Sequence, residues 1–97
     1  MSNLRNKTIF ITGATRGIGR EIALRFAGDG ANIVVTGRTA EPKPEVAGTI
    51  HSVAREVDEA GGRALPLQLD IRDEYAVAKA MDTAADRFGG IDVLINN

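Results

Sequence analysis

Lys7-Thr8-Ile9-Phe10-Ile11-Thr12-Gly13-Ala14-Thr15-Arg16-Gly17-Ile18-Gly19-Arg20 is the stretch that decides the fold. Ile9, Phe10 and Ile11 form an apolar run too short for a helix and made of strand-favouring residues, so the stretch opens as a buried strand. A glycine-punctuated turn follows, and the apolar spacing then changes. Ile18, Ile22 and Phe26 recur every four residues, which predicts a helix starting near Arg16 or Gly17 with those three on its buried stripe. A strand, a tight turn and a helix start make a cradle for an anion: the first helical amides lack partners, the peptide dipoles point their positive end at the turn, and glycine lets a phosphate approach the main chain. Gly13, Thr15, Arg16, Gly17, Ile18 and Gly19 are the candidate phosphate-binding residues of this turn.

The rest of the chain repeats the alternation. Gly28-Asp29-Gly30 stops the first helix, and Asn32-Ile33-Val34-Val35-Thr36 reads as a second strand buried on both faces. Gly37 and Arg38 stand at its carboxyl end, where an adenosine-binding fold meets the ribose. An acidic residue there would accept bonds from the ribose hydroxyls; Gly37 is expected to leave the space open, and Arg38 offers a guanidinium fork suited to a phosphate. Arg16 can approach the same phosphate from the turn, and Lys43 is a further cation in the loop.

Thr39 to Gly48 is that loop, with Pro42 and Pro44 barring a helix. Val46, Ile50, Val53, Val57 and Ala60 then repeat at helical spacing, with Arg55, Glu56, Asp58 and Glu59 on the wet side, and Gly61-Gly62 ends the helix. His51 lies off the stripe and is expected to be a surface residue without chemical duty. Ala64 to Leu69 is a third strand. Asp70, just past its end, is placed to accept a hydrogen bond from an adenine amino group, while Asp73 is expected to cap the next helix. That helix runs from about Glu74 to Phe88, with Val77, Met81, Ala84 and Phe88 as its core stripe. Gly89-Gly90 closes it, and Ile91 to Asn97 reads as a fourth strand.

The bulk numbers set limits on the reading. A chain of 97 residues makes one domain at most, burying roughly 60 to 65% of its unfolded surface. Its 43% hydrophobic and 26% charged residues suit a soluble globular protein, and a net charge of −1 gives no reason to expect nucleic acid or a membrane as partner. With no cysteine and one histidine, neither a disulfide nor a thiolate or histidine metal cluster is available. No run approaches the ~18 apolar residues of a membrane span, and the first residues lack the apolar core of a secretory signal, so a cytoplasmic location is expected.

The glycine spacing, G-x-x-x-G-x-G, is neither the common dinucleotide fingerprint nor the phosphate loop of nucleotide hydrolases. Thr12-Gly13-Ala14-Thr15-Arg16-Gly17-Ile18-Gly19 resembles the T-G-x-x-x-G-x-G motif of the short-chain dehydrogenases/reductases, and Asn96-Asn97 resembles the start of that family's Asn-Asn-Ala-Gly signature. The resemblance runs the length of the chain through four landmarks: the glycine turn, Arg38, Asp70, and Asn96-Asn97. Within the family, Arg38 to Pro44 and Gly48-Thr49-Ile50 look like the hydroxysteroid-dehydrogenase-like branch. The resemblance implies a doubly wound, Rossmann-type α/β sheet, β-α-β-α-β-α-β, in the strand order 3-2-1-4 given by right-handed crossovers.

It further implies an NADP(H)-dependent oxidoreductase interconverting an alcohol and a carbonyl, of which residues 1–97 are the cofactor-binding part. Basic residues at the positions of Arg16 and Arg38 go with NADP(H) in this family, an Asp at position 70 serves adenine, and Asn96 and Asn97 tie strands together beside the adenosine ribose. The family's Ser and Tyr-x-x-x-Lys pair are expected beyond residue 97. Tyr75 and Lys79 reproduce that spacing but fall with Asp82 and Asp86 on the helix side opposite its apolar stripe, after the third strand instead of the fifth, so no catalytic residue is assigned. The expected partners are a small carbonyl or alcohol and, in the intact protein, further copies of itself. An apolar edge along the fourth strand is expected to make the isolated chain associate or be only marginally stable. A non-catalytic NADP(H)-binding protein of the same fold is the alternative, and a methyltransferase of Rossmann type is disfavoured by Gly37-Arg38.

Overall fold

The computed structural model describes residues 4–43 and 48–97. The predicted alternation is present: β1 (Thr8–Ile11), α1 (Gly17–Ala27), β2 (Asn32–Gly37), α2 (Ile50–Ala60), β3 (Arg63–Gln68), α3 (Glu74–Phe88) and β4 (Val93–Ile95). All strand pairs are parallel and the order is β3-β2-β1-β4, as expected. Pro44 and Val46, read above as loop and helix residues, lie outside the described residues.

Side chains alternate across the two central strands and divide the core. Ile9, Ile11, Ile33 and Val35 face α1 and α2, where Ile50, Val53 and Val57 complete one apolar cluster. Phe10 and Val34 face α3 and pack with Leu69, Ala80 and Ala84. Both faces of β1 and β2 are therefore dry, which is why their sequences read as continuous apolar runs.

Two helix stripes differ from expectation. On α1 the buried residues are Gly19, Ala23 and Ala27, while Ile22 and Phe26 only flank the core. Ile18 is 71% exposed. The helix lies so close to the sheet that only small side chains fit beneath it, and a reading that looks for large apolar residues picks the wrong line. On α2 the buried set includes Ala54, and Ala60 is exposed at the last turn, just before the left-handed Gly61 cap. Thr49 starts α2 with a capping box, its hydroxyl accepting from the Ser52 amide while the Ser52 hydroxyl accepts from the Thr49 amide. Asp73 caps α3 as expected, accepting from the Ala76 amide at 3.0 Å. Tyr75, Lys79, Asp82 and Asp86 form the exposed side of α3.

The sheet has two different edges. β4 is short, and its Val93 and Leu94 are 41% and 52% exposed. Along β3 the amides of Arg63 and Leu69 donate inward, to Ala31 and Gly37 of the β2 segment, so by alternation residues 64, 66 and 68 turn their amide positions outward. Residue 66 is proline, and the Ala64 amide is taken by the Asp58 carboxylate at 3.0 Å.

The close approach of α1 makes a direct prediction. Ala23→Leu should lower unfolding stability by about 1–3 kcal/mol through overpacking, whereas Ile18→Ser should change it by no more than about 0.5 kcal/mol. Urea unfolding followed by circular dichroism distinguishes them, and equal losses would return Ile18 to the core.

Candidate functional site

The turn between β1 and α1 has Gly13 and Gly17 at φ of 61° and 60°, a region that side chains disfavour. Arg16 is extended at the N-cap, makes no side-chain cap, and no acidic residue occupies the first turn of α1. The positive end of the helix therefore lacks a compensating group from its own sequence. A Cβ on Gly17 would meet nothing within 4 Å, so the turn opens to space there. Gly19 is the opposite case: a Cβ would collide with the Gly13 carbonyl oxygen and come within 2.8 Å of the Asn97 amide nitrogen.

Thr12 fastens the end of β4 to this turn. Its buried hydroxyl accepts from the Asn97 main-chain amide at 2.8 Å and donates to the Asn96 side-chain oxygen at 3.2 Å. The Asn97 side chain donates to the Gly13 carbonyl at 3.1 Å. Both asparagines thus join β1 to β4, as the sequence reading expected of them. Thr12 was read only as part of the motif, and its anchoring role appears once the strands are paired.

A cleft of about 620 Å³ opens at the carboxyl ends of β1, β2 and β3. The turn contributes Gly13, Thr15 and Arg16, and Asn97 adds the fourth strand. The segment after β2 contributes Arg38, Thr39 and Lys43, and the segment after β3 contributes Leu69 through Arg72. Six of the ten predicted site residues therefore line one space: Gly13, Thr15, Arg16, Arg38, Asp70 and Asn97. Gly17, Ile18 and Gly19 lie at the helix start beside it and do not form its wall, and Asn96 borders a smaller cavity of about 200 Å³ between β1, β4 and α3. Lys43 does reach the cleft.

The charges in this cleft fall into two groups. Among the described residues Arg16, Arg38 and Lys43 form no ion pair. Asp70 is paired: Arg72 donates through Nε to Oδ1 at 3.0 Å and through Nη2 to Oδ2 at 2.7 Å, and the Arg72 amide adds a third bond. Those bonds from Arg72, with a smaller contribution from the Arg38 charge, hold the Asp70 carboxyl well below the usual carboxylate range. Arg72 was not foreseen as a site residue; its only sequence signal is its place two residues after Asp70, in a turn.

One expectation is corrected here. The space over Gly37 is not open, because the Thr15 methyl fills it: a Cβ on Gly37 would lie 2.7 Å from Thr15 Cγ2. His51 is exposed on α2, and Tyr75 is 79% exposed on α3 outside the cleft wall. Among the described residues there is no group of His, Cys, Asp and Glu able to hold a metal ion, and no helix is long and apolar enough to cross a membrane.

Comparison with known proteins gives a consistent set of likenesses. The family model described as short chain dehydrogenase matches residues 7–97. Hydroxysteroid dehydrogenase-like protein 2 of Xenopus laevis is 57% identical over 90 residues, which cover 93% of this chain and 22% of that protein. A crystal structure of a short chain dehydrogenase from Mycobacterium thermoresistibile superposes with a TM-score of 0.94 at 53% identity, covering 98% of this chain and 34% of that one. The NADH-dependent reductase A1-R′ complexed with NAD superposes with a TM-score of 0.83 at 33% identity, covering 98% and 37%. The chain spans about a fifth of the length of the curated relatives it matches.

The Asp70–Arg72 pair predicts a pH response. Because the folded carboxyl titrates below its unfolded value of about 3.9, the stability that its ionisation contributes is complete above that value and is lost as pH falls through the lower folded one. Arg72→Ala should move the Asp70 titration, followed by carboxyl carbon NMR, upward toward the ordinary range and close that window. An unmoved titration would show that the fork is not formed in solution.

Proposed function

We propose, from the premise that this chain belongs to the short-chain dehydrogenase family, that it is the cofactor-binding half of an NADP(H)-dependent oxidoreductase interconverting an alcohol and a carbonyl. The observation that carries the reading is the convergence of Arg16, Arg38 and Lys43, none of them ion-paired among the described residues, on a cleft beside an uncapped helix start. Three cations and a positive helix end call for an anion of high charge.

NADP(H) suits this donor set. The opening at Gly17 would admit the pyrophosphate, to which the amides at the start of α1 would donate, and the guanidinium groups of Arg16 and Arg38 would hold the 2′-phosphate. Asp70 keeps lone pairs beyond those that Arg72 occupies, so it still accepts from the adenine amino group. Asn97, which lines the cleft, is assigned with Asn96 to the side of the adenosine ribose. A similar fold in the reductase that binds NAD supports the dinucleotide class, and the arginines favour its phosphorylated member.

When bound, the nicotinamide supplies or takes up the hydride. The chain's own contribution is to bind and orient: the turn fixes the phosphates, and the cations hold the adenosine end. Proton transfer falls to residues outside these 97, since Tyr75 and Lys79 stand on the solvent side of α3, away from the cleft. The substrate is a small alcohol or carbonyl compound, the intact protein acts as a homo-oligomer, and its place is the cytoplasm.

NADPH should bind the intact protein more tightly than NADH by about 1.5–3 kcal/mol, the worth of charge-assisted bonds, and Arg38→Asp should invert the order. Fluorescence titration with both nucleotides checks this, and equal affinities in the unaltered protein would remove the case for a 2′-phosphate.

A further inference from the structure

We propose that Arg20 and Glu56 are positioning residues: their two-armed contact ties the glycine-built first turn of α1 to α2 and so holds the phosphate-binding amides in place. The proposal rests on the nucleotide reading given above and adds to it what keeps the anion site still.

A turn that admits a phosphate gives up its own side-chain anchors. A Cβ on Gly17 would meet nothing within 4 Å, Ile18 is 71% exposed, and Gly19 is buried but has no side chain. Arg16, at the N-cap, makes no side-chain bond to the helix. Arg20 is thus the first residue of α1 whose side chain bonds to another element: Nε donates to Glu56 Oε1 at 3.1 Å, and Nη2 donates to Oε2. Its amide donates to the Arg16 carbonyl at 3.3 Å, so the same residue closes the first turn and reaches α2.

The partner helix is well fixed. α2 buries Ile50, Val53, Ala54 and Val57, its start is closed by the Thr49–Ser52 capping box, and the Ile50 amide donates to the Thr39 carbonyl at 2.9 Å. Glu56 therefore offers a firm post to a turn that has few holds of its own.

Charge explains why the carboxylate comes from a neighbouring helix. Arg20 is a cation near the positive end of α1, whose first turn has no acidic residue. An acid at the N-cap or in that turn would take up the free amides and compete with a phosphate for them. Glu56 instead meets the guanidinium from the side and lies outside the cleft wall, with exposed Glu21 a second partner at 3.5 Å. Side chains that are 34% and 35% exposed add little to global stability. The effect of the pair is local, on the share of molecules whose turn is in the binding geometry.

The test compares the unaltered intact protein with Glu56→Gln and with Arg20→Gln/Glu56→Gln. NADPH binding is read by fluorescence, melting by circular dichroism, and the opening of α1 without nucleotide by deuterium exchange over residues 17–24. By charge alone, removing a carboxylate should strengthen the binding of an anion, and the double variant, which leaves the net charge unchanged, should bind like the unaltered protein. The positioning role has the opposite sign: both variants should bind NADPH about threefold or more weaker and exchange faster over 17–24, with little change in melting temperature. Equal or tighter binding by Glu56→Gln overturns the proposal, as does unaltered exchange. Recovery of full affinity in the double variant, or a melting temperature that falls in step with affinity, overturns it too, the first by showing a charge effect and the second a general scaffold role. Absence of NADPH binding to the unaltered protein would instead remove the reading of the cleft, and the exchange comparison would still decide whether the fork holds the turn.

Discussion

The main chain passes itself at Gly13 and Gly19 too closely for a side chain to stand between. That approach sets the height of α1 above the sheet, and the helix continues with Ala23 and Ala27 because nothing larger fits along the same line. The Gly13 carbonyl at the point of contact also receives the Asn97 side chain, so the crossing holds the end of β4 as well. One steric condition thus joins the first strand, the first helix and the last strand around the glycine turn.

The distribution of charge follows from the same arrangement. A chain of net charge −1 gathers three cations without an ion pair at one end of the sheet, while Arg20, Arg25 and Arg72 each have a carboxylate partner. Arg20, one turn into α1, meets Glu56 of α2 through both arms of its guanidinium, with Nε to Oε1 at 3.1 Å. Arg25 pairs with Asp29, and Arg72 with Asp70. Exposed pairs of this kind add little to stability. Their effect here is spatial: Glu56 and Asp29 are occupied outside the cleft and Asp70 is matched by Arg72 within it, so the charges of Arg16, Arg38 and Lys43 are left without a paired carboxylate.

Elements were legible in the sequence where one face is wet and the other dry. α3 begins and ends where its pattern says, and β2 declares itself by four successive apolar or β-branched positions, Ile33 to Thr36, ahead of Gly37. α1 was legible as a helix but not in its orientation, since close packing reverses the usual preference for bulk at the interface. The cleft was legible residue by residue through Gly13, Thr15, Arg16, Arg38, Asp70 and Asn97, all at strand ends. What the sequence hid were side-chain contacts that only the folded chain brings about. The Thr15 methyl over Gly37 needs both strands in register, the Thr12 hydroxyl needs β4 beside β1, and the Arg72 fork needs the turn that brings it back onto Asp70. The Thr49–Ser52 capping box marks the start of α2 through hydroxyls three residues apart, a signal that hydrophobic spacing does not carry.

Pro66 has a consequence for how copies of the molecule meet. On the outer side of β3 the first outward amide is already bonded to Asp58, the second does not exist, and only that of Gln68 remains. A visiting strand would find carbonyls but almost no hydrogens to bind, so the sheet cannot be prolonged through that flank. Strand-to-strand contact between copies is thus disfavoured along this border, and the proline acts as a sentinel there against fibre-like stacking.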